Sequence, residues 1–359
     1  MISFFVFLFI LGLLIIVHEF GHFVAAKKLG IKIERFSLGF GPQIFLKKKQ
    51  DTEYCVSAVP LGGYVKLAGD CVEEYKGRPY EYLSKPVGKR FWVIFSGPLF
   101  NYVLGILFFG IIFFVGYPTP TTKVGGLLDG FGAKAAGIQI GDRILAVDGQ
   151  RVDYWEDLQK IIQSKREAER VLLSVLREGK VYSIEVNIKE KKIDDVLGRK
   201  RSIGLLGITP SEEVVKLRHG FFLSFLLGIK KAWNLTALTY QALWRMSTGQ
   251  LSVRESISGP LGIFFITSKV AHQGIIILMH FIAVLSISLA IFNLLPLPVL
   301  DGGHIILLLI EKMRGRMLTA KEERIISRIG VTLIIFLALF VTYNDLNRLF
   351  ADRIIKFFK

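Results

Sequence analysis

Four long apolar blocks constrain this chain more than any other feature. They cover residues 2–26, 91–116, 275–300 and 329–342, and strongly basic stretches separate them. A helix rises about 1.5 Å per residue, so some twenty apolar residues cross the roughly 30 Å hydrocarbon core of a bilayer. Composition agrees: 52% of the 359 residues are hydrophobic, against about 45–50% in a soluble domain. The pattern excludes a disordered chain, a collagen-like fibre and a single soluble globule. It predicts a polytopic α-helical membrane protein with four transmembrane helices and at least one water-soluble domain.

Charge sets the expected orientation. The 46 basic and 30 acidic residues give +16, but flanking Lys and Arg near membrane segments report topology. No base-stacking aromatic motif accompanies them, so no nucleic-acid partner is expected. Thirteen Lys and Arg fall between the first two blocks, from Lys27 to Arg90, and six between the third and fourth, from Lys312 to Arg328. Both loops are therefore expected in the cytoplasm and both termini outside. The long stretch between the second and third blocks is basic too, but long domains cross regardless of charge. The first block has no preceding basic residue and no small-residue cleavage site after it, so it reads as a span rather than a signal peptide. Residues 220–245 carry Lys230 and Lys231 near their middle. That segment is expected to lie at the interface as an amphipathic helix anchored by Trp233 and Trp244. Cys55 and Cys71 fall in the expected cytoplasmic loop and read as free thiols.

The first block ends in His18-Glu19-Phe20-Gly21-His22. Residues four apart share a helix face, so both imidazoles can aim at one point. Two such histidines with an intervening glutamate suit a zinc ion and the activation of water. Ionisable side chains inside a span are costly and usually mark function. A catalytic zinc needs a third protein ligand and an open position. The candidate is Asp301, which follows Asn293, Pro296 and Pro298. The two prolines break the third span near its cytoplasmic end, and broken backbone is tolerated there only where it lines protein or a wet cavity. His304 is a rival ligand. Asn101 and Asn293 are polar residues at membrane depth, able to orient a ligand, hold substrate backbone or bridge helices.

Together, the His18–His22 and Asn293–Gly303 segments resemble the site-2 protease family of intramembrane metalloproteases. The resemblance extends to Gly39-Phe40-Gly41-Pro42, to Pro60-Leu61-Gly62-Gly63-Tyr64-Val65-Lys66, to Ser96-Gly97-Pro98-Leu99-Phe100-Asn101 and to Ser258-Gly259-Pro260-Leu261-Gly262. It implies one Zn²⁺ per chain on His18, His22 and Asp301, with Glu19 as the base. It also implies a membrane-associated β-element at about 30–70, in which Gly62, Gly63, Tyr64 and Val65 present an edge strand to an unwound substrate. Single-span membrane proteins, among them trimmed anti-sigma factors and remnant signal peptides, are the implied substrates. The implied setting is the bacterial inner membrane, with the site opening to the cytoplasm. Two departures stand out: Ser288 occupies a position where relatives often have Asn, and only one soluble module is present.

That module, residues 121–190, reads as β-rich. An alternating strand ends at Asp148-Gly149, a short amphipathic helix covers Asp157–Ile162, and Val171–Leu176 and Val181–Ile188 form a hairpin. It resembles a circularly permuted bacterial PDZ domain of the family's PDZ-bearing subgroup. The resemblance implies an extracytoplasmic substrate filter with Val124, Gly125, Gly126 and Leu127 as its carboxylate loop. The expected organisation is 1–116 for two spans and the β-element, 117–200 for the PDZ domain, 201–271 for the interfacial segment and 272–359 for the last two spans. A zinc peptidase acting on soluble peptides at the cytoplasmic face and a catalytically silent PDZ-bearing binding protein are the alternatives.

Overall fold

A computed structural model describes residues 2–166, 169–194 and 197–357. In chain order it begins with α1 (Ile2–Lys28), β1 (Ile33–Lys49), β2 (Thr52–Leu67) and α2 (Val87–Val115). A β-rich stretch follows: β3 (Tyr117–Pro120), β4 (Val124–Leu127), α3 (Gly132–Ala135), β5 (Arg143–Val147), β6 (Gln150–Arg151) and α4 (Trp155–Gln163). It continues through β7 (Arg170–Arg177), β8 (Lys180–Asn187), β9 (Lys189–Asp194), β10 (Lys200–Leu205), β11 (Ile208–Pro210) and β12 (Val214–Leu217). The rest is helical: α5 (Phe221–Ser247), α6 (Val253–Ser256), α7 (Pro260–Val270), α8 (Ile275–Asn293), α9 (Asp301–Arg314) and α10 (Ala320–Phe357). The chain divides into two compact units, a helical one of residues 1–112, 222–243 and 252–359, and a β-rich one of 113–221 and 244–251.

In the helical unit, α1, α2, α8 and the 320–347 part of α10 are long and apolar enough to cross a membrane. These are the four blocks expected. The third ends at Asn293 rather than 300, because Pro296 and Pro298 supply no N–H to continue a helix. The backbone then turns through Val299, whose φ of +78° is left-handed, and restarts as α9 with Asp301 in its first turn. Ile10 and Leu14 of α1 pack on Ile282 of α8. Residues 220–245 form most of α5, which runs lengthwise beside α2. A Cβ at Gly228 would sit 2.9 Å from Gly110 N, and the Tyr102 and Thr236 hydroxyls are 2.9 Å apart. The Ser258–Gly262 motif also has a structural explanation. The buried Asp345 carboxylate of α10 accepts the Gly259 and Gly262 N–H groups at 3.0 and 2.8 Å, capping α7.

Gly39 and Gly41, with φ of +89° and +84°, bend β1. Arg35–Leu38 therefore pair with Gly63–Lys66 on one side and Glu53–Val56 on the other, while Gln43–Lys49 pair with Thr52–Ser57. The 63–67 segment is left as an edge with no second strand partner among the described residues.

The β-rich unit is built on an antiparallel sheet ordered β6-β5-β7-β8. Val171, Leu173 and Val175 alternate inward on β7, packing with Ile144, Val147, Leu158 and Val186. Its hairpins close through Asp148-Gly149 and Glu178-Gly179, both residues of each pair at positive φ, the geometry that matches strand twist. Arg177 grips the buried Asp142 carboxylate at 2.7 Å through two nitrogens. Burial opposes Asp142's ionisation, but the Arg177 bonds overcome it and hold the carboxyl below its ordinary range. The unit is longer than the 117–200 expected: β11 pairs with β4 and β12 with β3, so residues up to 217 belong to its strands. Those strands are short and distant in sequence from their partners, which hides them from periodicity.

Candidate metal centre

The C-terminal part of α1 brings His18 and His22 one above the other, their Nε2 atoms 3.2 Å apart. Asp301 reaches them from the start of α9, with Oδ2 at 3.1 Å from His18 Nε2 and Oδ1 at 3.6 Å from His22 Nε2. Zinc bonds to imidazole and carboxylate of about 2.0–2.2 Å put neighbouring ligands roughly 3.3–3.6 Å apart in a tetrahedron. The His18–His22 spacing suits two such ligands, and each imidazole has a different Asp301 oxygen beside it, so the three side chains converge on one point where an ion can bind. All three side chains are only 12–15% exposed, and Asp301 Oδ2 is buried with no hydrogen-bond partner. Buried acceptors converging without donors are unfavourable unless a cation lies between them. The donor set therefore fits a divalent metal.

A neighbouring carbonyl fixes the tautomer of His22. His22 Nδ1–H donates to the Val93 carbonyl of α2 at 2.8 Å, which leaves Nε2 with its lone pair facing the centre. Asn293, the last residue of α8, sets its amide 3.4 Å from His18 Nδ1. The amide atom nearest Nδ1 is Nδ2; with the amide turned over, Oδ1 would accept an Nδ1–H and match the tautomer of His22. Gly97 makes the close approach possible. A Cβ there would fall on His22 Nε2 and lie 2.9 Å from His18 Cε1, inside the centre itself. Likewise a Cβ on Gly21 would strike the Ser96 carbonyl.

Glu19 lies between the histidines in sequence and faces the β-element. A Cβ at Gly63 would come within 3.2 Å of Glu19 Cγ and 2.9 Å of Ser37 O. The glycine thus lets the 63–67 edge lie flat against α1 beside this carboxylate. Tyr64 stacks on Phe40, ring centroids 6.3 Å apart and planes 5° from parallel, and accepts a long 3.4 Å bond from Arg35. Val65 pairs with Phe36, and Gly62 packs on the Phe40 ring.

Other expected residues fall elsewhere. Asn101 is fully buried on α2, and neither amide atom has a hydrogen-bond partner; its carbonyl accepts the Ser286 hydroxyl at 2.7 Å. His304 lies outside the ligand cluster and lines a separate cavity. Val124–Leu127 is β4, paired along its length with β11; Val124 also bonds Asp142 and Gly141 on its other side. Among the described residues β11 has no second strand partner. A second cluster, Asp70, Cys71 and Glu74, is bridged by the Lys66 ammonium, 2.6 and 2.7 Å from the Glu74 oxygens. Burial pushes the Cys71 thiol up, which disfavours a thiolate ligand.

The Val93 carbonyl and Gly97 were not predicted from sequence. The first is a backbone atom that any residue would supply. The second was quoted within a motif, but what it does is to leave space.

Comparison with known proteins places this geometry in context. A family profile described as peptidase family M50 matches residues 6–337. A protein of Rhizobium meliloti, provisionally named a zinc metalloprotease, is 31% identical across 96% of both chains. The zinc metalloprotease RasP of Geobacillus kaustophilus is 30% identical, covering 96% of this chain and 97% of its own. RasP of Oceanobacillus iheyensis is 28% identical, covering 96% and 98%. Among solved structures, the PDZ domain of an SdrC-like protein from Listeria innocua is 21% identical over 26% of this chain, with a TM-score of 0.21.

Proposed function

This chain belongs to peptidase family M50, and from that premise we propose that it cuts peptide bonds within or beside the membrane-spanning segments of single-span proteins. It is a zinc metalloprotease. The observation that carries the finer reading is the convergence of Asp301 with His18 and His22, the two histidines and Glu19 standing on a helix long and apolar enough to span a bilayer.

His18, His22 and Asp301 would hold the zinc, which when bound supplies a Lewis acid that acidifies water and polarises the scissile carbonyl. Glu19 takes the proton of the attacking water and passes it to the departing amine. The Val93 carbonyl keeps His22 in the coordinating tautomer, and the Asn293 amide does the same for His18 once its oxygen faces the ring. A substrate helix has its amides locked in internal bonds and must unwind before attack. The 63–67 edge beside Glu19 receives the unwound segment by strand addition, which aligns a peptide bond with the carboxylate. The β-rich unit acts as a PDZ-type filter outside the cytoplasm, and the site opens inward. Anti-sigma factors already trimmed outside, and remnant signal peptides, are the substrate class.

The test pairs wild type with Glu19→Gln, reconstituted with a single-span substrate that carries or lacks its extracytoplasmic domain. Wild type should bind one zinc and cut only the trimmed form, inside its apolar segment. Glu19→Gln should retain zinc and lose about 10²–10⁴ in rate. Cleavage only of soluble peptides would favour the cytoplasmic-face peptidase instead, and an active Glu19→Gln would remove Glu19 as base.

A further inference from the structure

One buried ion pair has no part in the chemistry above. Arg90, three residues before Val93 on α2, has a side chain only 3% exposed. Its Nη1 donates to Glu311 Oε2 at 2.9 Å, Nη2 donates to Oε1, and Nε donates to the Lys85 carbonyl at 3.0 Å. The Tyr82 ring lies beneath the guanidinium at 5.9 Å. Glu311 is 12% exposed and sits on α9, whose first residue is Asp301. The two helices do not close on each other here. A cavity of about 360 Å³ is lined by Arg90 and Ile94 from one side and by His304, Leu308 and Glu311 from the other.

We propose that Arg90, through its forked bond to Glu311, is a positioning residue that sets the register of α9 against α2, and so of Asp301 against His22. The inference rests on the metal-centre reading above. Van der Waals packing cannot fix the register where a cavity separates the helices, whereas a two-point guanidinium–carboxylate fork fixes both distance and angle. The two ends of the clamp also lead to the two ligands. Arg90 is one helical turn from the carbonyl that orients His22, and α9 runs without interruption from Glu311 back to Asp301. Buried ion pairs add little net stability against apolar replacements, and their best-attested use is specifying register.

The experiment uses the full-length chain in detergent or nanodiscs and compares wild type, Arg90→Lys and Glu311→Gln. Three quantities are read: zinc release to a chelator, the d–d absorption of the cobalt-substituted protein, and thermal unfolding of the metal-free protein. Arg90→Lys keeps the charge but loses the fork. It should release zinc about 10–100-fold faster, the effect typical of supporting groups around a metal, and shift the cobalt bands, while the metal-free protein stays folded at assay temperature. Glu311→Gln should behave alike. Wild-type release rates and cobalt bands in both variants would overturn the inference. So would metal-free variants already unfolded at assay temperature, because the pair would then serve folding alone. A wild type that takes up no zinc would instead sink the metalloprotease reading.

Discussion

Gly97 shows how much of this site depends on an absent side chain. Alanine normally favours a helix over glycine by about 1 kcal/mol, so Gly97→Ala should help α2 as an isolated helix. Its methyl would nevertheless occupy the space beside His22 Nε2 and His18 Cε1. Zinc affinity of that variant is predicted to fall at least about tenfold with no loss of helix content, measured by metal analysis and circular dichroism; full metal content would contradict the packing described. At this scale the sequence was legible where side-chain chemistry carried the signal. The four-residue spacing of His18 and His22 and the carboxylate of Asp301 stand out in any reading. Val299 did not, because nothing in a Pro-Val-Leu string announces a β-branched residue at φ +78°. Such a conformation costs about 1–3 kcal/mol and persists only where its surroundings impose it. Gly330 of α10 leaves room for it, as a Cβ there would sit 2.6 Å from Val299 Cγ2.

Among elements, the 63–67 segment of β2 carries the most functional weight. Successive strand residues point their N–H groups to opposite edges, so one of Tyr64 and Val65 offers its donor outward. Proline at that position removes the donor. The matching variant of the pair Tyr64→Pro and Val65→Pro should lose about tenfold in kcat/KM, close to one net hydrogen bond, while zinc content stays at the wild-type level. Full cleavage by both variants would exclude strand addition at this edge. The spanning helices were legible as apolar blocks because hydropathy needs no partner. α9 was hidden because two consecutive glycines in its first turn are poor helix formers. In the fold those glycines allow the new helix to start against the carbonyls of Leu294, Leu295 and Leu297.

The whole molecule is made of two units with different rules: helices whose apolar faces suit lipid, and a β-rich unit with its own core of Val171, Leu173, Val175 and Ile144. Long-range pairing decided what the sequence concealed, as in β12 returning to β3 and Asp345 capping α7. The central claim is that α1 and α9, 279 residues apart from His22 to Asp301, share one ion. Zinc-edge X-ray absorption on the full-length protein and on Asp301→Ala tests this most directly. The wild type should show only nitrogen and oxygen neighbours at about 2.0–2.2 Å, two of them imidazoles, and Asp301→Ala should lose zinc or one light-atom neighbour. A sulfur shell near 2.3 Å, or a spectrum unchanged by Asp301→Ala, would contradict the account.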